Sequence, residues 1–108
     1  MAAKGVSCEV INLLSIRPLD RETIFNSIKK TGRCVTLEQG FPQHGVGAEI
    51  AAMIMETDVF NYLDAPMERV TGADLPTPYA VELEDQSFPQ VNDVIAAIER
   101  TTFRSLTA

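Results

Sequence analysis

The chain has 108 residues, 45% of them hydrophobic, with a net charge of −6 from 9 basic and 15 acidic side chains. That composition fits one globular domain with a modest core. The acidic balance, with no basic cluster longer than Lys29-Lys30, excludes a nucleic-acid binder, whose affinity rests on cationic contacts to phosphate. No apolar run approaches the roughly 18 residues of a membrane span, and the opening Met-Ala-Ala-Lys-Gly has no apolar core of a secretory signal. Cys8 and Cys34 are the two cysteines; both stand in apolar runs and are expected to be buried, reduced thiols, because disulfide scaffolds are short and Cys-dense. A Cys-x-x-Cys pair is absent and His44 is the one histidine, so a structural zinc site is not expected.

In chain order, Ser7 to Leu14 is β-branched and apolar and reads as a buried strand. Pro18 ends it. Asp20 is a good N-cap for a helix over Arg21 to Lys30, with Leu19 and Ile24 as a hydrophobic staple, Ile24 and Ile28 on one face, and Gly32 as a left-handed stop. Arg33 to Glu38 reads as a strand covered on both faces. A loop with three glycines and one proline in ten residues then leads into AEIAAMIMET, a well-buried helix.

Asn61 to Pro66 reads as a linker, and Met67 to Thr71 as a short third strand. Gly72 to Tyr79, with two prolines, is irregular. Ser87 and Gln90 suggest a capping box, with Pro89 in the first turn of a closing helix whose face is Val91, Val94, Ile95 and Ile98. Alternating strands and helices give an α/β class, a three-layer α/β/α arrangement with a mostly parallel sheet. The first strand begins close to the start, so the unit is expected to lack an earlier strand and helix.

The stretch from Glu38 to Glu49 is the richest in information, since it leaves a strand and opens a helix. It fits no phosphate cradle: Gly45 is followed by Val46 instead of a Lys-Ser/Thr pair, and Ile50 stands where a dinucleotide fingerprint needs a small residue. The glycines point to packing or an interface. His44 has the pKa range of a general acid or base, but no nucleophile is paired with it in the sequence, so an interface histidine is the simpler reading. Glu38 and Glu49 are expected to supply negative charge at the helix N-terminus and to accept hydrogen bonds from loop amides, ahead of a paired-carboxylate site. Asp64, in an NYLDAP segment, reads either as linker or as a docking acid for a cationic partner. Glu82, Glu84 and Asp85 form an acidic edge.

Four segments in series, EVINLLSIRPLDRETI, TLEQGFPQHGVGAEIAAMIM, LDAPMERVTGADLPTPYA and FPQVNDVIAAI, resemble the C-terminal domain of pyruvate dehydrogenase E1 β subunits, within the transketolase C-terminal family. The β subunits of branched-chain 2-oxoacid dehydrogenases share the layout and are less similar in the GFPQHGVGAEI and TGADLPTPYA stretches.

The resemblance implies an E1 assembly of two α and two β chains that decarboxylates pyruvate on thiamine diphosphate with Mg²⁺ and passes the acetyl group to lipoyl-E2. It implies no catalytic, cofactor-binding or metal-binding residue in this chain, which alone would be inactive. It implies partners in the E1 α subunit, a second β subunit and the subunit-binding domain of E2, with Asp64 at the E2 contact and Phe41, Pro42, His44, Gly45 and Gly47 at a subunit interface. A non-catalytic E2-binding module is the alternative role. The family setting is the mitochondrial matrix, with plastids and bacterial cytoplasm as its other locations. Relative to the family the start retains only AAKGVS of an upstream helix, and the missing strand is expected to expose a sheet edge.

Overall fold

The computed structural model describes residues 5–16, 18–73 and 88–102. Helix α1 spans Arg21–Thr31. Its start is set by Asp20, whose carboxylate accepts from the Thr23 amide at 3.2 Å and from the Thr23 hydroxyl at 2.7 Å. These bonds from Thr23 hold the Asp20 carboxyl below its ordinary pKa. The helix stops at Gly32, in the left-handed region with φ 74°, where the Gly32 amide donates to the Ile28 oxygen at 2.7 Å. The expected cap, staple and stop therefore all form, with Leu19 packed against the cluster that contains Ile24.

Strands β1 (Val35–Leu37) and β2 (Glu68–Val70) pair in parallel, with Val35 opposite Glu68, Thr36 opposite Arg69 and Leu37 opposite Val70. Between them run helix α2 (Val46–Met55) and a 3₁₀ turn over Asp58–Tyr62. Helix α3 (Val91–Thr102) closes the described chain and packs on both strands. Side chains alternate across a strand: Thr36 and Arg69 share the face covered by the start of α2, where they surround Gly47, and Glu68 points to the other face, where it pairs with Arg100 of α3. Helices thus cover both faces of a parallel pair, and the α/β class expected from the element order is the class observed.

The core is the junction of α1, α2 and the 3₁₀ turn. Ile24 and Ile28 lie one helical turn apart, Ile50, Met53 and Ile54 line the facing stripe of α2, and Val59 seals the junction from the turn. Ile54 and Val59 are the largest fully enclosed side chains among the described residues. The spacings i, i+3 and i+4 place these residues on single helix faces, and each fully buried aliphatic contributes about 1.5–3 kcal/mol relative to exposure.

Several expectations are corrected. Ser7 to Leu14 forms no strand; Val10 and Leu14 are 87% and 95% exposed, while only Val6 is buried and Leu13 packs against the core. The segment is tied to α1 by a Glu9–Lys30 ion pair, and it joins no ladder: the described sheet has two strands. Apolar β-branched composition encodes a tendency to bury, but a strand also needs a neighbour for its backbone groups.

Cys8 is accordingly exposed, not buried. Cys34 is half-buried and free, and burial pushes its thiol up to about 11, leaving it unreactive near neutrality. The second strand is shorter than expected, and Leu37 is exposed instead of covered.

The AEIAAMIMET helix starts at Val46, two residues early, and stops at Met55. The 3₁₀ turn was not expected; it occupies the first part of the linker. At the start of α3 the Gln90 amide donates to Asp93 Oδ2 at 2.8 Å and the Asp93 amide to the Gln90 oxygen at 3.0 Å. Gln90 is thus the residue before the helix, Pro89 precedes its first turn, and Ser87 lies outside the described residues, as do Asp74–Tyr79 of the irregular loop and the acidic residues Glu82, Glu84 and Asp85. Val91 is exposed, and the buried positions of α3 are Ala97 and Thr101.

Gly32 is the sharpest single test of this packing. A Cβ there would have to occupy a left-handed conformation and would lie 2.9 Å from Cγ of Asp64. Gly32→Ala is expected to lower stability by about 1–2 kcal/mol, read as a lower urea midpoint with an unchanged slope.

Candidate functional site

Two groups of candidate residues stand at opposite ends of the strand pair. Because β1 and β2 are parallel, Gly32 and Asp64 lie before the strands at one end, and the glycine loop and Thr71-Gly72 lie after them at the other.

At the loop end, Glu38 organises the turn into α2. The N-cap Gly45 has no side chain to satisfy the first amides of the helix. Glu38 supplies that acceptor from a distance: its Oε2 receives the Gly47 amide at 2.7 Å. Its Oε1 lies 3.7 Å from the Arg69 guanidinium, in a largely buried pair. Arg69 in turn donates to the Pro42 oxygen, and the Gly72 amide donates to the Gly40 oxygen at 2.9 Å. The loop is thereby fastened at Gly40, Pro42 and Gly47.

Both later glycines are required by crowding. A Cβ at Gly45 would lie 2.9 Å from the Phe41 oxygen, and one at Gly47 2.9 Å from Thr36 Oγ1 and 3.2 Å from Arg69 Nε.

The fastened loop presents a surface. Phe41 is exposed, Pro42 and Gly45 are half-buried, His44 is exposed at the tip with φ 63°, and Gly47 is buried in the first turn of α2. A non-glycine residue at positive φ is strained unless its surroundings hold it there, although His tolerates the region better than most. Of the expected roles, the Glu38 bond to a loop amide at the helix start is observed. Glu49 stands in the first turn of α2 and is exposed.

At the other end, Asp64 is 65% exposed in its side chain. Its amide donates to the Gly32 oxygen at 2.7 Å, which places its carboxylate over the Gly32 Cα, and Arg33 Nη1 lies 3.9 Å from Oδ2. Tyr62, beside it in the chain, carries Lys29 5.2 Å from its ring centroid. The structure therefore does not bring Asp64 together with Phe41, Pro42, His44, Gly45 and Gly47.

Two residues were missed by the sequence reading, Arg69 and Arg33. Each acts through a partner remote in sequence, Glu38 for the first and Thr101 for the second, and no local motif signals such pairs.

Among the described residues no group of three or more His, Cys, Asp or Glu side chains is placed to hold a metal ion. A cleft between β2 and α3, lined by Arg69, Val70, Thr71, Asp93, Ala96 and Arg100, contains none of the expected site residues. No helix of the described residues is long and apolar enough to cross a membrane.

Removal of Glu38 tests the loop clamp. Glu38→Ala leaves the Arg69 guanidinium half-buried without its counter-charge and the Gly47 amide without its acceptor. It is expected to lower stability by about 2–3 kcal/mol, whereas Glu38→Gln, which keeps an acceptor oxygen, loses less; thermal denaturation of the two variants checks the order.

The chain is 58% identical over 106 residues to pyruvate dehydrogenase E1 component subunit beta-1, mitochondrial, of Oryza sativa subsp. japonica, covering 98% of this chain and 28% of that protein. It is 60% identical over 101 residues to pyruvate dehydrogenase E1 component subunit beta, mitochondrial, of Homo sapiens, covering 94% and 28%. The subunit beta of Saccharomyces cerevisiae is 59% identical over 95 residues, covering 88% and 26%. The chain thus spans little more than a quarter of the length of these relatives. A family model described as the transketolase C-terminal domain matches residues 1–94, and the chain belongs to that family.

Proposed function

We propose that this chain is the assembly and E2-docking domain of a pyruvate dehydrogenase E1 β subunit. The observation that carries the reading is the 58–60% identity to E1 β subunits over almost the whole chain. That identity supports a shared fold, and the two ends of the strand pair are the candidate surfaces. In this reading the fastened loop offers Phe41, Pro42, His44, Gly45 and Gly47 to a neighbouring subunit, either the E1 α chain or a second β chain. Asp64, an exposed carboxylate, meets a cationic face of the E2 subunit-binding domain.

The activity belongs to the assembly: oxidative decarboxylation of pyruvate and transfer of the acetyl group to lipoyl-E2, with thiamine diphosphate and Mg²⁺ held by the rest of it. This chain contributes position, and by itself decarboxylates no pyruvate. The mitochondrial names of its relatives support the mitochondrial matrix as its setting. The β subunit of a branched-chain 2-oxoacid dehydrogenase and a free E2-binding module are the competing roles; the pyruvate dehydrogenase names of the relatives favour neither.

A substitution at Asp64 separates docking from chemistry. In an assembled E1 carrying this chain, Asp64→Ala is expected to leave pyruvate decarboxylation with an artificial electron acceptor unchanged and to weaken binding of the E2 subunit-binding domain by about tenfold at low salt. Binding equal to that of the parent would remove Asp64 from the docking surface.

A further inference from the structure

Arg33 stands between the end of α1 and the start of β1, and two contacts fix its guanidinium. Its Nε donates to the Thr101 oxygen at 2.8 Å, near the described end of α3. Its Nη1 lies 3.9 Å from Oδ2 of Asp64, too long for a hydrogen bond and close enough for a through-space attraction. The first contact is part-buried and anchors the side chain; the second leaves a positive charge beside an exposed carboxylate.

Asp64 does not depend on Arg33 for its place. The Asp64 amide is bonded to the Gly32 oxygen, and the carboxylate lies over a glycine with no side chain to push it away. Loss of the Arg33 charge would therefore change the potential at Asp64 more than its position.

We propose, resting on the reading of Asp64 as the docking acid, that Arg33 is a specificity-determining residue: a built-in counter-charge that weakens the pull of Asp64 on a cationic partner. A single incoming cation meets a nearly balanced pair and gains little. A partner face with clustered Lys and Arg side chains has enough charge to compete, and Arg33 thus selects for such a face and keeps the contact reversible.

The test uses assembled E1 carrying this chain and the E2 subunit-binding domain as probe, with association rates measured at low and high salt. Arg33→Gln is expected to speed association roughly twofold to fivefold at low salt, with the gain shrinking at high salt. Arg33→Lys, which keeps the charge, is expected to match the parent. If Arg33→Gln fails to assemble, Arg33→Met, neutral with a similar stem, carries the same expectation. An unchanged or slower rate in the neutral variants, or an Arg33→Lys as fast as they are, overturns the proposal. Asp64→Asn run in parallel distinguishes the two failures: parent-like binding by Asp64→Asn overturns the docking reading and this proposal with it, whereas an effective Asp64→Asn beside a neutral variant without gain overturns only the role of Arg33.

Discussion

The carboxylate of Glu38 is the interaction on which the rest of the fold's geometry depends. Two parallel strands of three residues each have too few ladder bonds to hold themselves together. Glu38 extends the pairing beyond the strands: its amide donates to the Val70 oxygen at 3.0 Å while its side chain receives Gly47 and faces Arg69. One residue thus joins the end of β1, the start of α2 and the middle of β2, and through Arg69 it also reaches the loop at Pro42. The arrangement has an opposing contribution. Thr36 Oγ1, Glu38 Oε1 and Arg69 Nε are buried and make no hydrogen bond, and each such atom costs about 1–3 kcal/mol. Charge attraction across a largely buried pair offsets part of that cost, which makes the cluster sensitive to loss of either partner.

How much of this was legible in the sequence differs from element to element. Helix α1 was readable almost to the residue, because Asp20, Leu19, Ile24 and Gly32 act within one or two turns and their spacing states their roles. The bond from Glu38 to the helix start was readable for the same reason: strand, glycine loop and helix follow one another directly. The strand expected at Ser7 to Leu14 was not borne out, since composition records a wish to bury and says nothing of whether a neighbouring strand is at hand. The bond between Gln90 and Asp93 at the start of α3 was not anticipated, while the Ser87 part of the expected capping box lies outside the described residues. Arg69 and Arg33 were invisible, as both act across the fold on groups 31 and 68 residues away.

The same contrast holds for the candidate sites. The loop residues and Asp64 were singled out by type and by resemblance, but their separation to opposite ends of the strand pair follows only from the parallel register. Under the proposed function, that separation would let a subunit contact on the loop and a docking contact at Asp64 be occupied at once, without competition for surface.

Val10, Leu14 and Leu37 are exposed apolar side chains and His44 stands at positive φ at the loop tip; the proposed assembly role would bring such groups against a partner. The most direct measurement of that role is the native mass of the complex isolated through this chain. The account predicts a mass that matches an E1 assembly of α and β polypeptides. A mass of the lone chain, or of a complex holding only copies of it, would contradict the assembly role.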